Sequence, residues 1–129
     1  MNTLEKEFIP YEQALELKEL GFDEPCFGYY SNGELVYDNH TNNYMQRFRY
    51  SAPLYQQAFR WFRGKYGLYG VCTMGDDWNN FHFNIWKNDT MTKTFVASSR
   101  SWVYDTYEEA ELACLKKLIE IVKSNTPKP

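Results

Sequence analysis

Apolar residues recur along this chain with two periods, and the changes between them mark out its elements. From Pro10 to Leu20, Ala14, Leu17 and Leu20 come at helical spacing. Proline suits the first turn of that helix, and Gly21-Phe22 reads as a glycine stop with its hydrophobic contact. A hairpin is predicted next, Cys26–Tyr30 and Glu34–Tyr37 flanking Ser31-Asn32-Gly33, because Asn-Gly tolerates the positive φ angles of a tight turn. Residues 38–50 follow neither period and read as polar loop or irregular strand. A second helix is predicted from Ala52-Pro53 to Tyr66, with Tyr55, Ala58, Phe59, Phe62 and Tyr66 as its buried stripe. Gly67-Leu68 repeats the stop of the first.

The remainder reads as strands closed by a helix. Leu68–Thr73 is a strand, Gly75-Asp76-Asp77 a turn, and Trp78 to Lys87 alternates with period two, Phe81, Phe83 and Ile85 facing one way. Thr94–Ala97 and Ser101–Tyr104 are further strand, separated at Ser98-Ser99-Arg100. Thr106 and Glu109 form a capping box before a last helix, Tyr107 to Lys123, whose apolar positions spread wider than one face and mark it as central to the core. The order α-ββ-α-βββ-α predicts an α+β fold: a single domain over 1–129, fraying at 1–6 and 124–129. Its antiparallel or mixed sheet of four to five strands carries three helices mainly on one face.

Each predicted helix opens alike, on Tyr11-Glu12-Gln13-Ala14, Tyr55-Gln56-Gln57-Ala58 and Tyr107-Glu108-Glu109-Ala110. The spacings of 44 and 52 residues are unequal. Tyrosine and alanine three apart cover one face of a helix, as packing on a sheet requires, so the pattern reads first as a packing device and second as a degenerate repeat.

Composition narrows the class. A chain of 129 residues has room for one core, and 43% hydrophobic with 24% charged residues is globular, leaving the 19% aromatic content as the outlier. No run reaches the ~20 apolar residues of a membrane span, and the acidic start lacks a signal peptide's apolar stretch, so a cytoplasmic location is expected. Cys26, Cys72 and Cys114 are widely spaced without a CxxC, which argues against a disulfide framework. Cys72 and Cys114 lie among apolar residues and are expected in the core.

Three segments together carry a resemblance: Phe8–Ala14 continuing through Gly21–Tyr30, Ala52–Arg63, and Tyr107–Ile121. Over about half of its length the chain resembles a group of small proteins of bacteriophage and Bacteroidetes genomes. That group has no established activity, so no functional residue is carried over. The resemblance implies a mobile-element origin, a setting in which accessory proteins often bind and inhibit a host component, as in phage counter-defence.

Charge is unevenly spread. Residues 1–38 hold nine acids and two bases, a balance of −7. Residues 39–75 hold Arg47, Arg49, Arg60, Arg63 and Lys65 without an acid, a balance of +5, and residues 76–129 hold eight acids and seven bases, a balance of −1. A net charge of −3 disfavours extended nucleic acid, whose phosphate backbone calls for many basic contacts, but a local basic patch suits a small anion. On the second helix Gln56, Arg60 and Arg63 share a stripe, and its first turn has glutamines where the other helices have glutamates. That leaves the positive helix N-terminus open to an external anion, with Ser51 able to add a hydroxyl. Opposite the apolar face of the Trp78 strand lie Trp78, Asn80, His82, Asn84 and Trp86, amides and an imidazole between two indoles, a mixture suited to a planar polar ligand.

Catalytic signatures are missing from the sequence. His40 and His82 have no partners at metal-ligand spacing, no nucleophile elbow or phosphate loop occurs, and His82 with Asp76 or Asp77 lacks a nucleophile; no metal or cofactor is expected. The sequence therefore points to a non-catalytic module that sequesters a small anionic, planar ligand, a nucleotide or nucleotide-derived signal. In that reading Arg60 and Arg63 hold the charge, with Arg47 and Arg49 in the same basic stretch, and Asn80, His82 and Asn84 read the ring edge. The alternative is a protein-interaction or structural accessory role, with a host protein or a second copy buried against the Trp78/Trp86 face.

Overall fold

All three predicted helices form, and each begins on its tyrosine: α1 is Tyr11–Glu19, α2 Tyr55–Tyr66 and α3 Tyr107–Asn125. The computed structural model describes residues 4–38, 49–75, 80–88, 93–99 and 103–125. The shared opening has one structural meaning in all three helices. Ala14, Ala58 and Ala110 donate to the carbonyls of Pro10, Leu54 and Thr106, the first intrahelical bond in each case, and all three alanines are fully buried. Tyrosine occupies the first helical position and alanine the fourth, where a small side chain lets the helix start lie close against its neighbours.

The helix ends follow local chemistry. At the end of α1, Phe22 N–H reaches Leu17 O and Gly21 N–H reaches Lys18 O, with Gly21 at φ 96°. This is the six-to-one and five-to-two bond pair of a glycine stop, with Phe22 and Leu17 both buried beside it. Helix α2 starts at Tyr55, later than the predicted Ala52-Pro53, because the preceding residues are engaged in extended pairing. Ile9 N–H donates to Pro53 O at 3.0 Å, and Phe8 bridges Leu54. Thr106 Oγ1 accepts from Glu109 N–H at 3.1 Å, the threonine half of the predicted capping box.

Among the described residues six strands form two separate antiparallel sheets, where the sequence reading has a single sheet of four to five strands. β1 (Tyr29–Ser31), β2 (Glu34–Val36) and β3 (Arg49–Ser51) are ordered β2-β1-β3. β4 (Leu68–Met74), β5 (Phe81–Asn88) and β6 (Lys93–Ser98) are ordered β4-β5-β6. Asn32 and Gly33, at φ 54° and 82°, make the predicted two-residue hairpin turn between Ser31 and Glu34. β3 lies in the stretch with no readable period and takes the free edge of β1. Because β1 is central in one sheet and β5 in the other, the two helix-plus-three-strand segments are not copies of one motif.

The chain clusters into two units, Met1–Ala58 and Phe59–Pro129, with the boundary inside α2. The first unit buries Phe8, Ile9, Ala14, Leu17, Phe22 and Cys26, and Tyr30 O–H donates to Ile9 O at 2.8 Å within that core. The second buries Phe62, Leu68, Phe83 and Ile85 together with one stripe of α3, Ala110, Cys114, Leu115, Leu118, Ile119 and Val122. The apolar surround of α3 thus resolves into a single buried face, with Leu112, Ala113 and Ile121 half-buried beside it. Among the described residues no helix is long and apolar enough to cross a membrane.

Candidate functional site

Strict alternation in β5 gives the second sheet two unlike faces. Phe83 and Ile85 point to α3, and their partners on β4, Cys72 and Gly70, share that side. A Cβ on Gly70 would come within 2.7 Å of Cys114 Sγ, 3.2 Å of Leu118 Cδ1 and 3.5 Å of Phe59 Cε1. Glycine therefore lets α3 approach the strand, and Phe59 puts its part of α2 on the same side of the sheet. Ser99 closes the central strand, its Oγ accepting from Phe83 N–H at 2.9 Å and its N–H donating to Phe83 O at 3.0 Å.

The other face is largely apolar and, among the described residues, exposed. Its rows across the strands are Tyr69–Trp86–Phe95, then Val71–Asn84–Ser98, then Thr73–His82. Tyr69 is 38% exposed, Val71 48%, Trp86 40%, Phe95 48% and Val96 36%, so the apolar exposure is contiguous rather than scattered. The Trp86 and Phe95 rings meet edge to face, centroids 5.3 Å apart at 74°. A register shift creates this contact: Ile85 pairs with Ala97 but Trp86 pairs with Phe95, leaving Val96 as the extra residue of a bulge. Without it Phe95 would oppose Lys87 and face α3. These three rows hold no acidic or basic residue, and the next row, Asn88–Lys93, places a lysine at the edge of the same face.

The residues singled out from sequence are divided among several places. His82, Asn84 and Trp86 lie together on the open face. Asn80 precedes β5, half-buried, its carbonyl accepting from Gly75 N–H at 2.8 Å. Arg60 is exposed and Arg63 half-buried on α2, whose Phe59 packs on the α3 side of the sheet, so the arginine helix and the His82–Asn84–Trp86 row occupy opposite sides. Trp78, Arg47, Asp76, Asp77 and His40 fall outside the described residues.

Ser51, Arg49 and Gln56 belong to the first unit. Ser51 is buried in β3 opposite Tyr29. The Arg49 guanidinium lies 5.6 Å from the Tyr29 ring centroid, and its carbonyl accepts from Lys18 Nζ at 2.9 Å, with Lys18 also over the Tyr50 ring. Gln56 is exposed, and Gln57, the third residue of α2, reaches back to cap the N–H of Leu54. Gln57 Oε1 accepts from Leu54 N–H at 3.0 Å while its Nε2 donates to Pro25 O at 3.0 Å. A carboxylate could make only the first of these bonds, which gives the neutral first turn of α2 a structural cause.

Tyr69, Val71 and Phe95 are the members of the open face that sequence reasoning does not single out. Alternation in β4 was a possible signal for the first two; the bulge that turns Phe95 outward has none. Compared with protein-family models, curated proteins and solved structures, the chain matches none.

Proposed function

We propose that this chain is a non-catalytic binding module whose working surface is the open face of the β4–β5–β6 sheet, and whose occupant is an apolar protein surface, in the first instance the same face of a second copy. The observation that carries this reading is the contiguous exposure of Tyr69, Val71, Trp86, Phe95 and Val96 on one face of the sheet. Tryptophan and tyrosine supply large contact areas at small entropic cost and dominate interface energetics. A chain of net charge −3 repels its own copies in general, yet two such faces can meet over the Tyr69–Trp86–Phe95 and Val71–Asn84–Ser98 rows with the Lys93 row at the edge.

Size sets the strength. Three strands at ~4.8 Å spacing and seven residues at ~3.3 Å rise span roughly 330 Å² of sheet. That is well below the ~800 Å² per partner of a standard stable interface, so the association is weak and calls for concentrations to about the millimolar range. Sedimentation equilibrium should show mass rising with concentration, and Trp86→Ser with Phe95→Ser should return it to that of one chain with the fold intact by circular dichroism. A chain of unit mass throughout, unaffected by the substitutions, would remove this reading.

A second reading keeps the face and changes the occupant. Trp86 and Phe95 offer stacking surfaces for a planar ligand, and Asn84 and His82 in the adjoining rows offer hydrogen bonds to its edge. An anionic group on such a ligand would call on Arg60 or Arg63 from the other side of the sheet. Mass spectrometry of what natively purified protein releases on heating tests it: a planar compound, lost with Trp86→Ser while the mass in solution stays constant, selects the ligand over the second copy.

A further inference from the structure

We infer that Cys72 and Cys114 form a reversible dithiol–disulfide pair joining β4 to α3, with a small-molecule disulfide as the oxidant. β4 and α3 pack together and bring the two thiols into mutual interaction although 42 positions separate them in the chain. Both lie on the face of the sheet that α3 covers, and Gly70, two residues before Cys72, leaves room for Cys114 Sγ to press against the strand. Their exposures divide the chemistry. Cys72 is half-buried and within reach of a small reagent, whereas Cys114 is fully buried and reacts only with a neighbour.

The Cys114 hydrogen bond stabilises the Cys72 thiolate and holds its pKa below the usual thiol value, while the same bond and burial push Cys114 up. Cys72 is therefore the attacking sulfur. Its thiolate bonds to one sulfur of RSSR, the R–S–S–R bond breaks, and RS⁻ leaves and takes a proton. Cys114 then gives its proton to solvent and attacks the Cys72 sulfur of the mixed disulfide, expelling the second RS⁻, which is protonated in turn. The two cysteine sulfurs are together oxidised by two electrons, and RSSR is reduced to two RSH. Cys26 is an internal control: buried, bonded through Sγ to Glu24 O at 3.4 Å, and pushed up to about 12, chiefly by burial and then by Glu24, it stays a thiol.

The test is incubation of the full chain with oxidised glutathione, followed by denaturation, alkylation of remaining thiols and peptide mapping. The expected product has lost two hydrogens, carries a Cys72–Cys114 link and is alkylated only at Cys26. Cys26→Ser should behave identically apart from that label, and Cys114→Ala should stop at a mixed disulfide on Cys72. Three alkylated cysteines, a glutathione adduct that persists on Cys72 in the parent chain, or a link involving Cys26 would each overturn the inference. Mapping of the parent chain decides the matter even where a variant fails to fold.

Discussion

Gly70→Ala probes the closest approach in the second unit. The added methyl would stand 2.7 Å from Cys114 Sγ and 3.2 Å from Leu118 Cδ1, inside the ~3.5–4.0 Å at which such atoms settle. Overfilling a packed site by one methyl costs about 1–3 kcal/mol. Gly70 is not among the glycines at positive φ, so alanine suits its backbone and returns about 0.4–1 kcal/mol by restricting the unfolded chain. The expected net loss is roughly 1–2 kcal/mol, read as a lower urea midpoint at unchanged slope. Cys114→Ala removes the sulfur that the methyl meets, so the double variant should be more stable than the sum of the single effects predicts, by about 1 kcal/mol. Urea titrations of the parent, both single variants and the double variant, followed by tryptophan fluorescence, complete the cycle. A Gly70→Ala protein as stable as its parent, or strict additivity in the double variant, would refute the argument that glycine is there to admit α3.

The first unit offers two further tests. Tyr30 donates to the Ile9 carbonyl, and its pKa is raised by burial first and then by Glu5 and Tyr37, so its proton is held more tightly in the folded chain. The stability this contributes is complete below the unfolded tyrosine value of about 10 and is lost as pH rises through the folded value. Tyr30→Phe should therefore lose about 1–2 kcal/mol at neutral pH and show a shallower alkaline decline, with urea midpoints from pH 7 to 11 as the measurement; an alkaline limb parallel to the parent's would contradict it. At Gln57, alanine removes both the acceptor for Leu54 N–H and the donor to Pro25 O, a loss of about 1–2 kcal/mol, whereas glutamate retains the cap and loses only the donor. Stability in the order glutamine, glutamate, alanine is expected by thermal or urea unfolding, and equal losses for both variants would show that the cap contributes nothing.

Association through the open face and capture of an anion by α2 make separate demands on this chain. The stripe of Arg60 and Arg63 and the row of His82, Asn84 and Trp86 looked complementary in sequence because both are polar faces of amphipathic elements. Phe59, which belongs to the stripe beside those arginines, reaches Gly70 on the covered side of the sheet. Burial of one side of each element is what turns their polar sides apart. The glutamines of α2 carry a related lesson: at least Gln57 is engaged as a cap, so a first turn without acid is not by itself a vacant anion site.

The three helices, the glycine stop at Gly21, the Asn32-Gly33 hairpin and the inward face of β5 were all legible in the sequence. Each depends on residues within one helical turn or one strand, where spacing and cap chemistry act directly. Tertiary structure alone decided that β3 joins β1, that the strands divide into two sheets, and that α2 waits until Tyr55 while Pro53 and Leu54 pair with the chain near Phe8. It also brought Cys72 to Cys114 and, through one extra residue at Val96, turned Phe95 outward beside Trp86. Pairing between distant segments leaves no period in either segment, and a shift of a single residue reverses which side of a sheet a strand presents.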